Sequence, residues 1–537
     1  MTALLLGEVK LESDPNFPNF PNFRCQLIVA VLLVAFAGTA AGQVPAAQNY
    51  ATHCAACHGG DRLGGTGPPL LPENLERLRK PATADTIAKG RIATQMPAFA
   101  ERLTKDEIDA LVAYVYTPPK EKPVWGAADI ESTRIVHHAD GSLPDKPQFA
   151  ADPMNLFVVV ESGDHHASIL DGDKLVRLVR FPTRYALHGG PKFTPDGRYV
   201  FLASRDGWVT KYDLWNLKTV AEVRAGINTR NIAVSGDGKW VIAGNYLPHT
   251  LVVLDARDLS LVKLIPVADK GGKPSRVSAV YDAAPRKSFV VALKDIPEVW
   301  EIPYDPKAPP VYEGYVHDYR MGEGVAEKGP FPVRRIVLDD VLDDFFFDQS
   351  YDHLIGASRE AGKGQVVNLN VRRRIATVDL PGLPHLGSGI TWDWGGKPVF
   401  ATTNLKDGVV SVIDMKEWKT VGAIATNGPG FFLRSHEATP FAWVDGMNGP
   451  KKDTLQVIDK RTLEIVASLT PMPGKTAAHV EFDRYGRYAL ASVWEVDGAI
   501  VVYDAATFAE VKRIPANKPV GKYNVFNKVT RSAGTSH

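Results

Sequence analysis

The chain has 537 residues, with 62 Lys plus Arg against 61 Asp plus Glu. That length exceeds one ordinary compact domain, so two or three units are expected. The charge balance argues against nucleic-acid binding, which needs a basic surplus or a clustered basic face.

The first element in chain order is "RCQLIVAVLLVAFAGTAAGQ", starting at Arg24. A positive residue, an apolar run and small residues suited to cleavage make a secretory signal and point to a periplasmic protein. The run is too short for a stable membrane insertion. Residues 1–23, with a repeated "PNF", form an atypical extension, so 1–42 is read as signal plus extension. Cys25 leaves with the signal, and Cys54 and Cys57 remain as the only cysteines. Two cysteines three apart are no disulfide scaffold.

"CAACH" at 54–58 has the C-x-x-C-H spacing of a c-type haem attachment. The thiols of Cys54 and Cys57 can bond the two vinyl groups, and His58 can reach the iron. A zinc site would want a second pair of ligands nearby. Met96, in "ATQMPAF", can supply the sixth ligand, and a thioether opposite an imidazole suits electron transfer. Thr104 then reads as the N-cap of a helix with Ile108, Leu111, Val112 and Val115 on one face, ended by Pro118 and Pro119. Residues 44–119 are therefore expected to be a small all-α cytochrome with one covalent haem c.

The proline-rich, polar stretch 120–153 reads as a linker. Beyond it, units starting at Phe193, Val234, Trp392 and Phe482 share a Gly turn, an apolar strand, a polar turn and an alternating strand ending in Asp. The first two start 41 residues apart, and the last two start 90 apart, about two periods of 45. Weaker copies start near Asn155, Arg276, Asp344 and Arg434. A several-stranded repeat of this period predicts an all-β propeller of eight blades over 154–537. Pro303–Arg334 reads as an insertion, and "GKYNVFNK" near the C-terminus as a strand that helps close the ring.

A cytochrome followed by an eight-bladed propeller resembles cytochrome cd1 nitrite reductase and its relatives, over nearly the whole mature chain. "RYALHGGPKFTPDGRYVFLASRDG" resembles the segment carrying the proximal histidine of haem d1, which implies His188 as iron ligand. The resemblance further implies haem d1 contacts at Arg205, Arg230 ("GINTRNI") and Tyr246 ("AGNYLPH"). Of the two distal histidines of nitrite reductases, His385 in "LPHLG" matches one, whereas Asp343 or Asp344 stands where the other is expected. A carboxylate near neutral pH has already lost its proton, so it is a poor donor to nitrite.

"TAAHVEF", with His479, and the ending "GKYNVFNKVTRSAGTSH", with Tyr523, are instead similar to the dihydro-haem d1 dehydrogenases of haem d1 biosynthesis. That resemblance implies oxidation of a propionate side chain to an acrylate, with His188, His385, His479 and Tyr523 in substrate ligation and catalysis. It also implies a tetrapyrrole substrate, a transient complex with cytochrome cd1 nitrite reductase and an external electron acceptor. Forming the double bond releases two protons and two electrons. Imidazoles can take the protons, haem c the electrons, and arginines can hold the carboxylates. A divergent nitrite reductase with a protonated Asp344, or a non-enzymatic haem d1 carrier, are the alternatives. His53, His137, His138, His165 and His166 read as surface or loop histidines.

Overall fold

A computed structural model describes residues 45–75, 78–91, 94–121, 123–187, 190–313, 325–327, 329–357 and 362–530. The expected signal, His188 and part of the 303–334 insertion lie outside the described residues.

The N-terminal part is helical, with helices Ala46–His53, Ala55–His58, Pro72–Leu75, Lys80–Lys89 and Lys105–Val115. The last starts as predicted. The Thr104 side chain accepts from the Glu107 N–H, and the Glu107 carboxylate accepts from the Thr104 N–H, a reciprocal cap. Ile108, Leu111, Val112 and Val115 are buried with Tyr50, Leu75, Ile87 and Phe99 in one small core.

Among the described residues, eight antiparallel sheets of four strands follow, the second with a fifth strand, and Tyr312–Glu313 pairs with Val325–Ala326 in a small sheet of two. The first blade uses Leu156–Glu161, His166–Asp171 and Val176–Pro182, and the eighth runs from Ala477 to Pro515. Fourth strands such as Arg373–Asp379 and Lys419–Ala425 are wet, whereas first strands such as Val277–Ala283 and Ala477–Phe482 are buried. Cores lie between blades: Phe157, Leu170 and Leu175 of the first pack with Leu490, Ile500 and Val502 of the eighth. A strand pair buries one face per neighbour, so a closed ring leaves no apolar face uncovered.

Closure follows the expectation from "GKYNVFNK". Strand Pro519–Asn524 returns to the first blade and pairs with Leu156–Glu161, in the register Phe157↔Asn524 and Val159↔Lys522. Helix Val525–Thr530 ends the described chain.

The linker reading covers only part of what 120–153 does. Helix Ala127–Ser132 and strand Ile135–Val136 lie within it, and Val136 pairs with Ala221 on the edge of the second blade. The Trp125 indole donates to the Arg224 carbonyl at 3.0 Å. Leu71 of the helical part packs with Ile227 and Leu247 of the third blade. The described residues accordingly fall in one compact unit. Among the described residues, no helix is long and apolar enough to cross a membrane.

Candidate functional site

The "CAACH" turn places Cys54 just before helix Ala55–His58, with Cys57 one turn on. Both thiols are free of disulfides. The His58 ring donates through Nδ1 to the Pro68 carbonyl at 2.7 Å, which turns Nε2 away as a lone-pair donor. Burial holds its pKa below the usual histidine value, so the ring is neutral. Gly67 is needed beside it, since a Cβ there would fall 2.6 Å from His58 Cε1. Cys57 and Met96 line one cleft of about 550 Å³. A thiol and a thioether on one cleft, with a second thiol and a neutral imidazole on the same C-x-x-C-H turn, fit a covalent haem c.

The far wall of that cleft comes from the propeller: Gly163, His165, Val496 and Lys518 line it. The Lys518 ammonium donates to the Thr94 carbonyl, two residues before Met96. His165, in the turn before strand His166–Asp171 as its surface-or-loop reading allows, lies here edge-on to Tyr185 at 5.1 Å. Neither His165 nor Lys518 was legible as a site residue, because ring closure and the seating of the cytochrome bring them there.

A second site is built inside the ring. Arg230 lies on the first strand of the third blade, Asn228–Val234, and Tyr246 on the next strand, Trp240–Leu247. Arg205 lies in a turn of the second blade, where its N–H donates to the Ala186 carbonyl at 3.1 Å. Burial, then the charge of Arg230, lowers the Arg205 pKa to about 9. Burial opposes ionisation of Tyr246, but Lys294, Arg230 and Arg205 prevail and pull its phenol down to about 7. These three residues therefore share one electropositive corner, as suits a carboxylate-bearing ligand. Lys294 donates to Asp343 at 2.7 Å. Asp344 accepts from the Tyr281 hydroxyl at 2.5 Å and from the Gly387 N–H at 2.7 Å.

His385 precedes a short 3-10 turn, Leu386–Ser388. Its Nδ1 lies 2.7 Å from the Phe431 carbonyl and 2.8 Å from the Ser388 hydroxyl, which fixes ring and tautomer. Burial lowers its pKa, and Arg230 adds to that effect, which puts His385 within reach of the electropositive corner.

His479 lies on the first strand of the eighth blade and is 1% exposed. It is a buried interior side chain and not a wet strand edge. The pairing shifts between Ala478↔Ser492 and Glu481↔Leu490, a β-bulge that puts His479 at φ +51°. Bulges re-aim side chains, and here the imidazole turns onto Phe432 (4.6 Å between ring centres) and Tyr523 (5.0 Å). Burial, then Lys522 and Arg434, hold its pKa well below the usual value. His385 also packs on Phe431 (4.1 Å) and Phe432 (6.1 Å). A wall of rings thus joins His385, His479 and Tyr523.

A haem c crevice beside a propeller with a cationic, imidazole-lined interior defines a class. The chain belongs to the family described as "Cytochrome D1 heme domain", whose model matches residues 151–314 and 324–528. A model described as "Cytochrome C oxidase, cbb3-type, subunit III" matches 44–115. Within that family, it is 56% identical to the dihydro-heme d1 dehydrogenase of Pseudomonas aeruginosa, over 95% of this chain and 99% of that protein. Nitrite reductase of Stutzerimonas stutzeri is 26% identical over 89% of this chain and 92% of its own length. A solved structure, dihydro-heme d1 dehydrogenase NirN in complex with DHE, superposes with a TM-score of 0.78, covering 90% of this chain and all of that one.

Proposed function

We propose that this protein is a periplasmic dihydro-haem d1 dehydrogenase, which oxidises one propionate of its tetrapyrrole substrate to an acrylate. The observation that carries the reading is the pair of buried, neutral imidazoles on one aromatic wall, His385 and His479, with the Tyr523 ring beside His479. Converting CH2–CH2 to CH=CH releases two protons and two electrons. A neutral imidazole is a base of suitable strength near pH 7, and His479 and His385 each have a lone pair to offer. His188 would hold the substrate iron, and Arg205, Arg230 and Tyr246 its carboxylates. When bound, haem c accepts single electrons. Cys54, Cys57, His58 and Met96 would hold it, and an external acceptor would reoxidise it twice per turnover. Transfer of the product to cytochrome cd1 nitrite reductase in a transient complex completes the reading.

A nitrite reductase would require Asp344 to deliver a proton. Its two oxygens already accept from the Tyr281 hydroxyl and the Gly387 N–H. The test is mass spectrometry of the tetrapyrrole before and after incubation with the haem c-loaded protein. Product two hydrogens lighter, with haem c reduced, is expected. Unchanged mass, or rapid nitric oxide formation from nitrite, overturns the reading. His385→Ala and His479→Ala should stop turnover and keep the c-haem spectrum. Normal haem d1 transfer by both variants, with no oxidation by wild type, would make the protein a carrier.

A further inference from the structure

Two buried cations in the ring interior have no role in the assignments above. Arg434, on strand Leu433–Ser435 of the seventh blade, is 7% exposed. Its Nη1 donates to the carbonyls of Ser388 (3.2 Å) and Leu433 (3.1 Å), and its Nη2 meets no hydrogen-bond partner among the described residues. Lys528, on helix Val525–Thr530, is 5% exposed, and its Nζ likewise meets none among them. Lys528 sits 5.8 Å from the centre of the Tyr523 ring. The two cations act on one another electrostatically, and both act with Lys192.

The nearby carboxylates are fewer than the basic groups: Glu481 alone faces Arg434, Lys528 and Lys522 together, and the hydrogen bonds of Glu481 Oε1, Asp445 and Asp344 go to other groups. Glu481 Oε1 accepts from the Phe482 N–H (2.9 Å) and from Asn527 Nδ2 (3.1 Å). Asp445 accepts from the N–H groups of Phe431 (2.8 Å), Phe432 (2.9 Å) and Met447 (3.3 Å). Asp344 is held by Tyr281 and Gly387. Lys522, a further buried cation, is satisfied by the His479 carbonyl and by Ser492 Oγ at 2.8 Å. Burial, then Lys192 and Arg434, press the Lys528 ammonium well below its usual pKa, and an anion joining it to Arg434 would relieve both unfilled donors.

Placement gives that anion a purpose. Lys528 lies over Tyr523, which packs on His479. Arg434 is anchored on Ser388, whose hydroxyl bonds His385. The orphaned donors therefore border both imidazoles. We propose that Arg434 and Lys528 form a carboxylate-binding site that holds the substrate side chain undergoing dehydrogenation beside His385 and His479. The assignment to that side chain rests on the dehydrogenase reading. Cations on a carboxylate withdraw charge from the adjacent carbon, which eases removal of its proton by a weak base, and they fix the CH2–CH2 segment against the imidazoles.

The experiment compares binding of the dihydro tetrapyrrole as free acid and as its methyl ester to the haem c-loaded full chain. It is paired with anomalous scattering from crystals soaked in bromide. Wild type should bind the acid at least tenfold more tightly than the ester. R434Q and K528M should each lose about tenfold of that preference with ester affinity unchanged, and K528R should retain it. The c-haem spectrum reports that each variant is folded. A bromide peak between Arg434 and Lys528, with the acid preference unaltered in the variants, gives the site to a free anion and overturns the substrate assignment. Unaltered preference and no bromide peak overturn the site itself. If wild type leaves the substrate unoxidised while the preference depends on both residues, the dehydrogenase reading fails and the carboxylate site stands.

Discussion

His479 occupies a backbone region that a β-branched or bulky residue seldom visits, at φ +51°. Such a conformation survives only where its surroundings hold it. Here the Lys522 ammonium grips the His479 carbonyl, and the Asp445 carboxylate takes its N–H. Burial raises Asp445 to about 6, so this grip has its own sensitivity to acid. Lys522 acts as a positioning residue and as a nearby positive charge. His479→Ala should lower turnover by at least about a hundredfold, the scale of a lost general base, with the c-haem spectrum intact. Lys522→Met should slow turnover about tenfold or more and also move the pH profile. Burial, Lys522 and Arg434 depress the His479 pKa, so the imidazole stays neutral across the neutral range and protonates only in acid. Removing the Lys522 charge raises that pKa, and the acid limb of the rate profile should shift to higher pH. A limb that stays in place would assign Lys522 a purely structural role.

The repeating element has a local cause that the sequence exposes. Asp213, Asp414 and Asp504 each end a third strand and accept two backbone N–H groups of the turn that follows. Four residues on, Leu217, Trp418 and Phe508 adopt positive φ, with the same arrangement at Asp255 and Leu259. Asp414→Ala strands the N–H groups of Lys416 and Glu417. It should cost about 1–2 kcal/mol of stability, read by thermal unfolding, with kcat unchanged. Because this chemistry lies within five residues, the eight-blade count was readable from spacing, as were Cys54, Cys57 and His58. Arg434, Lys528, His165 and Lys518 were not, because their partners are distant in sequence and meet only after the ring closes. A longer-range link joins the third and fourth blades: Gly236 N–H donates to the Tyr304 hydroxyl, which donates to Asp282 at 2.9 Å. Burial pushes Asp282 up to about 7. A carboxyl whose pKa is raised by folding stabilises fully below its unfolded value, about 4, and that contribution is lost as pH rises through about 7. Wild-type Tm should therefore fall between about pH 4 and pH 7, and Asp282→Asn should flatten that fall.

At the scale of the whole molecule, two connections turn helices and blades into one body. Lys518 ties the loop carrying Met96 to the propeller, four residues before the closing strand's Lys522 reaches His479. The Met96 loop and the interior site are thus fastened to the same stretch of chain. The ring itself is latched where its ends meet. Asn524, on the closing strand, donates from Nδ2 to Asn155 Oδ1 at 3.1 Å, and that oxygen also accepts from the Arg484 N–H of the eighth blade at 3.0 Å. Asn155 Nδ2 in turn donates to Asp173 of the first blade at 3.1 Å. One amide therefore joins the first strand region, the last strand and the eighth blade, and both Asn155 and Asn524 are buried. Asn155→Leu keeps the volume but leaves the Asn524 amide and the Arg484 N–H without their acceptor. Each stranded buried donor costs about 1–3 kcal/mol, so Tm should drop by several degrees. Tyr523 lies next to Asn524, so a loosened latch should also lower turnover before the protein unfolds. The measurement is turnover against temperature for both proteins. An Asn155→Leu variant that loses activity only at its own unfolding transition would separate ring closure from the placement of Tyr523.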